Sequence, residues 1–181
     1  RLGRLDNRSA TIFVRGVQPI LINNTFLNNR GSAITIDANS MTEELRVDYG
    51  RATGSVDRVS KYDSNRGPLI RENRMNNNQM NGLEIRGDFL TTESVWDDTD
   101  IVHVLFTPIV VGNFVHDGGL RLQSSPTESL VVKLSDYGSN FDRMAGAGIT
   151  ATGSTTNAND RIGGTVHVTG QPGFPVIMTS F

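Results

Sequence analysis

The chain has 181 residues, with 17 basic against 19 acidic side chains, 36% hydrophobic residues, 19 glycines and no cysteine. A chain of this length buries roughly two thirds of the surface it exposes when unfolded, so it needs no disulfide or metal staple, and the missing thiols exclude a disulfide scaffold, an iron–sulfur protein and a thiol enzyme. A net charge of -2 gives no electrostatic reason to expect a nucleic-acid or anionic-membrane partner.

Apolar residues come in short alternating groups punctuated by Gly, Asn, Asp and Ser, not at the three-and-four spacing of a helix. In chain order this predicts strands over residues 10–14, 20–22, 33–36, 45–47, 69–70, 83–85, 101–106, 109–111, 120–122, 130–134, 166–168 and 176–178, each bounded by turn residues. The longest apolar stretch, 101–111, is interrupted by His103, Thr107 and Pro108 and falls far short of the roughly 20 residues a membrane helix needs. The sequence opens on Arg1, has no basic-then-apolar leader, and stops at Phe181 just beyond the apolar run Phe174-Pro175-Val176-Ile177-Met178. A piece of a longer chain is the expectation.

Sliding the sequence against itself exposes a repeat. Residues 19–29, Pro19-Ile20-Leu21-Ile22-Asn23-Asn24-Thr25-Phe26-Leu27-Asn28-Asn29, match residues 68–78 with an offset of 49 and no gap, and Ala33-Ile34-Thr35-Ile36 then falls on Gly82-Leu83-Glu84-Ile85. Halved to 24 or 25 residues, the offset suits a solenoid, with 41–66 as an intervening coil and Leu45-Arg46-Val47 near its start. In the C-terminal half, Gly119-Leu120-Arg121-Leu122 leads to 130–134 and Gly164-Thr165-Val166-His167-Val168 leads to 176–179, both at a spacing of ten. Gly82-Leu83-Glu84-Ile85 leads likewise to Ile101-Val102-His103-Val104 across a longer loop holding Trp96 and three aspartates. Strands this short cannot bury their inner faces alone, but stacking equivalent strands into parallel sheets does so. The Asn clusters fit the corners, which places Asn24 over Asn73 and Asn28-Asn29 over Asn77-Asn78 in side-chain ladders two coils apart.

Segments 19–37 and 68–86 resemble the coil repeats of right-handed parallel β-helix proteins, the pectate-lyase-like superfamily in its widest sense. They share the short apolar strand, the Asn-rich turn and the Gly-apolar-x-apolar strand. Segments 90–105 and 118–134 resemble parts of very large bacterial secreted or cell-surface β-helix proteins. The resemblance implies an all-β solenoid of six to eight coils over 1–181, with 138–161 as a long loop excursion. It leaves function open, because such folds carry lyases, hydrolases, adhesins and plain scaffolds.

Catalysis on an acidic polysaccharide needs paired carboxyls, or a base beside a calcium site. The acidic candidates are Asp97 and Asp98 in Trp96-Asp97-Asp98-Thr99-Asp100, and Glu72 and Glu84; the basic ones are Lys61, Arg66, Arg71, Arg74 and Arg86. Trp96 could stack on a sugar ring, but an Asn-Thr-Asp run, a Gly-His-Gly and an Arg-Ile-Lys are absent, and the plainer reading is a loop over a coil edge with Trp96 plugging apolar surface. Glu72, Glu84 and their basic neighbours read as solvated cross-strand pairs. Calcium could sit on Asp97, Asp98 and Asp100, or on Asn157, Asn159 and Asp160, though neither set is a full calcium loop. His103 and His167 fall mid-strand at matching places and His116 stands apart, with an outward-facing position for the first two and no zinc site. The expectation is therefore a structural or adhesive segment of a bacterial extracellular or cell-surface protein, with no cofactor unless calcium, no nucleic acid and no membrane insertion. Its partner is the rest of a longer chain or another copy stacked end to end. A polysaccharide lyase or hydrolase, and a non-catalytic carbohydrate- or calcium-binding module, are the alternatives.

Overall fold

A computed structural model describes residues 10–43, 59–87, 89–112, 118–135, 146–153 and 164–181. The described residues are 52% strand and 5% helix, and the strands lie in parallel sheets. In chain order the strands are β1 (Ala10–Val14), β2 (Ile20–Ile22), β3 (Thr25–Leu27), β4 (Ser32–Asp37), β5 (Leu69–Arg71), β6 (Arg74–Asn76), β7 (Met80–Arg86) and β8 (Phe89–Leu90). They continue as β9 (Glu93–Trp96), β10 (His103–Leu105), β11 (Ile109–Val111), β12 (Gly119–Gln123), β13 (Leu130–Leu134), β14 (Ile149–Ala151), β15 (Thr165–Thr169) and β16 (Val176–Ser180). One six-stranded sheet runs β1-β4-β7-β10-β13-β16; β8-β11-β14 and β9-β12-β15 form two more, and β2-β5 and β3-β6 pair separately. From β7 onward the chain visits the three larger sheets in the same order on every circuit. The arrangement is compatible with a β-helix.

Side-chain alternation separates the faces. Ile12, Ile34, Leu83, His103, Val132 and Met178 stack in one column of the large sheet, and Phe13, Thr35, Glu84, Val104, Lys133 and Thr179 in the next. Ile34, Leu83 and Val132, with Ile36, Ile85 and Leu105 two residues on, pack into a core shared with Leu90, Ile109 and Val111 of the second sheet and Trp96, Leu120 and Leu122 of the third. Burying each Leu or Ile in such a stack contributes about 1.5–3 kcal/mol, which is how three-residue strands hold together.

The pairing corrects the period. Ile12 pairs with Ile34, Ile34 with Leu83, Leu83 with His103, His103 with Val132 and Val132 with Met178, so successive rungs are 22, 49, 20, 29 and 46 residues apart. The offset of 49 is thus one rung. Ile20 pairs directly with Leu69 and Phe26 with Met75, and because β4 is hydrogen-bonded to β7 no coil from 41–66 stands between them. Residues 45–47 lie outside the described residues. The Asn ladders form as expected but between adjacent rungs: Asn24 Nδ2 donates to Asn73 Oδ1 at 3.0 Å, Asn29 Nδ2 to Asn78 Oδ1 at 2.6 Å and Asn77 Nδ2 to Asn28 Oδ1 at 2.6 Å. Asn23, Asn28 and Asn77 take the left-handed conformation at these corners, as does Glu72.

The strand–turn–strand unit is real for β12–β13 and β15–β16, which pair with each other at a constant offset of 46. Its earlier copy is β9–β10, since Ser94 and not Leu83 pairs with Leu120; Leu83 lies beside His103 in the large sheet. Within 138–161, Ile149–Ala151 is a strand in register with Ile109–Val111, so this stretch includes part of a rung.

Candidate functional site

The rung from β7 to β10 is only 20 residues long, and it has no strand to lay beside β5. Leu69 N–H donates to the carbonyl of Pro19 on the preceding rung at 3.0 Å, so the N–H groups of Ile70 and Glu72 point the other way, toward an edge without a strand. The loop that follows β9 covers that edge. Asp98 Oδ1 accepts the Ile70 N–H at 3.0 Å and Asp100 Oδ2 accepts the Glu72 N–H at 2.5 Å. Asp97 takes the Arg66 N–H on one oxygen and the Asn65 side-chain amide on the other, both at 2.8 Å. The two-residue spacing of Asp98 and Asp100 matches that of the N–H groups they receive, so carboxylates stand where strand carbonyls would.

Arg71 projects from β5 into the same loop. It donates to Thr99 Oγ1 and to Glu128 Oε2, each at 2.9 Å, lies 3.5 Å from Asp100 Oδ1, and sits over the Tyr62 ring at 5.8 Å. Thr99 donates to Glu128 at 2.6 Å, and this bond and Arg71 hold the Glu128 carboxyl below its usual range despite partial burial. Asp98 is 1% exposed, and its Oδ2 has no hydrogen-bond partner. Desolvation, with Asp97 nearby, pushes its carboxyl well above the usual range, against the pull of the Ile70 N–H and Arg71.

The remaining candidates are scattered. Glu72 forms an exposed ion pair with Lys61, and that hydrogen bond lowers its pKa. Glu84 is not a solvated surface acid: it is 5% exposed within β7 and accepts the Ser32 hydroxyl. Arg86 donates to Thr35 Oγ1 at 2.8 Å and lies over the Phe13 ring at 4.0 Å. Trp96 is fully buried in β9, so it can stack on no external sugar ring. His103 faces inward, stacked on Trp96 at 5.6 Å and 11°, whereas His167 is exposed on β15. The two histidines do not share an outward position, because Val102-His103-Val104-Leu105 satisfies either parity and the core takes His103 and Leu105. Burial lowers the His103 pKa to about 4, and its Nε2 has no partner. His116, Asn157, Asn159 and Asp160 lie outside the described residues. Among the described residues no three His, Asp or Glu side chains come together to hold a metal ion, and no helix is long and apolar enough to cross a membrane.

Comparison with protein-family models, curated proteins and solved structures finds no match.

A shallow groove that the sequence reading missed lies on the outer face of β9-β12-β15. Gly119 stands between Glu93 and Thr165 in one column, and Arg121 between Val95 and His167 in the next. Gly119 gives the groove its depth, since a Cβ there would lie 3.3 Å from Glu93 Cγ. Arg121 pairs with Glu43 at 3.5 Å. Only the strand register brings these polar residues together; in the sequence they are singletons.

Proposed function

We propose that the chain is a segment of a right-handed parallel β-helix of the pectate-lyase-like kind, serving as a structural or adhesive part of a bacterial extracellular or cell-surface protein without a catalytic centre of its own. The preference for right-handed parallel crossovers, about 98% of known cases, supports the right hand. One observation carries the non-catalytic reading: Asp97, Asp98 and Asp100 hold the backbone N–H groups of Arg66, Ile70 and Glu72. Asp98, at 1% exposure and bonded to a strand edge, has no open route to an external substrate's proton, and Asp97 and Asp100 have oxygens already engaged by backbone N–H groups. The exposed inward positions of the last rung, Val168 at 47% and Met178 at 49%, rest on Leu122 and Val132 at 0%. That contrast supports a further rung stacked there, supplied by a longer chain or by another copy.

The test is incubation with a panel of uronate polymers, followed by absorbance of unsaturated products and by reducing-end assay. Every polymer is expected to stay intact. Cleavage that disappears in Asp98→Asn or Glu84→Gln would overturn the reading. The groove of Glu93, Arg121 and His167 favours a second reading, a non-catalytic carbohydrate-binding module, for which the same polymers would be retained uncleaved.

A further inference from the structure

The corner that carries the Asn ladders ends in two side chains that do not join them. Asn29 and Asn78 are bonded across the rungs, and the Gln79 N–H donates to the Asn29 carbonyl at 2.9 Å, which sets Arg30 and Gln79 side by side on adjacent rungs. Each of the preceding ladder pairs is closed by an amide hydrogen bond. The Arg30 guanidinium and the Gln79 amide are both exposed and have no partner among the described residues. They line an open cleft of about 400 Å³, within the size range that holds a small ligand.

The other walls are apolar. Met80 is buried beside the cleft, and Phe106 and Phe181 meet edge to face with centroids 5.1 Å apart. The Phe181 ring is 57% exposed. Lys133 Nζ stands 5.8 Å from the Phe181 centroid, a second cation next to that ring. Ser32 also lines the cleft, and its hydroxyl is turned to Glu84, which is buried behind it. A planar guanidinium fork with an amide beside it is suited to a carboxylate, and two phenyl rings and a thioether are suited to an apolar body.

We propose that this cleft binds a small organic carboxylate with an aromatic or aliphatic body, its carboxylate on Arg30 and Gln79 and its body against Met80, Phe106 and Phe181. The site is independent of the scaffold reading above, since it uses none of the carboxylates that cap β5. An acidic sugar fits less well, because its hydroxyls would face the phenyl rings.

The experiment is calorimetric titration of the protein with 3-phenylpropionate, its neutral counterpart 3-phenylpropanol, and glucuronate. The phenyl acid is expected to bind one site with a dissociation constant of about 0.1–1 mM, and the alcohol and the sugar acid about tenfold or more weakly. Arg30→Gln and Phe181→Ala are each expected to weaken the phenyl acid by about tenfold. Both side chains are exposed, so the circular dichroism and melting point of the two variants should match the parent. Saturation-transfer NMR gives a second readout on the unaltered protein, with the ligand's ring protons receiving more transfer than its methylenes. Equal affinity for acid and alcohol, tighter binding of glucuronate, an unchanged dissociation constant in Arg30→Gln, or no binding at about ten times the expected constant would each overturn the proposal.

Discussion

His103 makes the stability of the fold depend on pH in a way that one substitution can isolate. The imidazole is fully buried between Leu83 and Val132 in the core column, stacked on Trp96, and bonded through Nδ1 to the Ile101 carbonyl at 3.2 Å. Burial holds the folded pKa at about 4, against 6.5 for the free side chain. The unfolded chain therefore takes up a proton as pH falls through 6.5 while the folded chain stays neutral until about pH 4. Stability that is complete above pH 6.5 is lost across that window, by about 3 kcal/mol in full at about 1.4 kcal/mol per unit. At pH 5 the loss is about 2 kcal/mol.

His103→Leu keeps an apolar body against Trp96 and removes both the titrating group and the buried, unpartnered Nε2. The assay is denaturant unfolding at pH 8 and pH 5, followed by the fluorescence of Trp96, the one tryptophan in the chain. Between these pH values the parent should lose about 2 kcal/mol more than the variant. Every other titrating group, Asp98 included, is common to both proteins and drops out of the difference. If the two lose stability equally, His103 is not held neutral and the buried placement is wrong.

Two further predictions concern the capped edge of β5. Asp98→Asn keeps an oxygen for the Ile70 N–H and removes the ionisation that burial opposes; because the raised folded pKa costs stability as pH rises through it, the variant should gain on the parent at pH 8 and lose that gain at pH 4, measured by denaturant midpoint. Asp98→Ala, which removes the same ionisation but strands the N–H, should fall about 1–3 kcal/mol below Asp98→Asn at pH 8, and equal midpoints for the two variants would remove the capping role. Among the described residues Glu72 is the one non-asparagine of the four non-glycine residues with positive φ, at +58°; Glu72→Asn should match the other corners and raise the melting midpoint by about 2–4 °C, whereas a drop would mean that the Lys61 and Tyr62 contacts outweigh the backbone strain.

The sequence located β1, β2, β11 and β13 because each is a short, mostly apolar run whose turns are marked by Gly, Asn, Pro or Ser. Strands β3 and β6, where a single inward residue, Phe26 or Met75, stands between outward ones, are not marked in this way, nor is β9, whose inward residues are Ser94 and Trp96. Ser94 is tolerated inside because it accepts the Trp96 indole N–H at 3.0 Å and donates to the Ala38 carbonyl at 3.2 Å. The period was misjudged because a search for repeats assumes equal rungs, and these range from 20 to 49 residues. The acidic loop shows the harder limit. Asp-x-Asp is the spacing of a cation site and equally the spacing of N–H groups along a strand edge, and only the register of β5 decides between them.

That loop also explains how the fold changes its cross-section without leaving a bare edge. Where the rung shortens after β7, the β2-β5 and β3-β6 sheets end at two strands each, and on β5 each outward N–H that would have met a new strand meets a carboxylate instead. A charged carboxylate accepts more strongly than a carbonyl, but burial at 1% exposure opposes the charge on Asp98, with the Ile70 N–H and Arg71 pulling the other way. The guanidinium is itself held in place by Thr99, Glu128 and Asp100, so one arginine ties the cap to the turn that leads into β13. Removing Arg71 would therefore loosen the cap and the β12–β13 corner together, two features that are 57 residues apart between Arg71 and Glu128. The acidic cluster that stands out in the sequence is thus spent on backbone N–H groups at the place where these two sheets end.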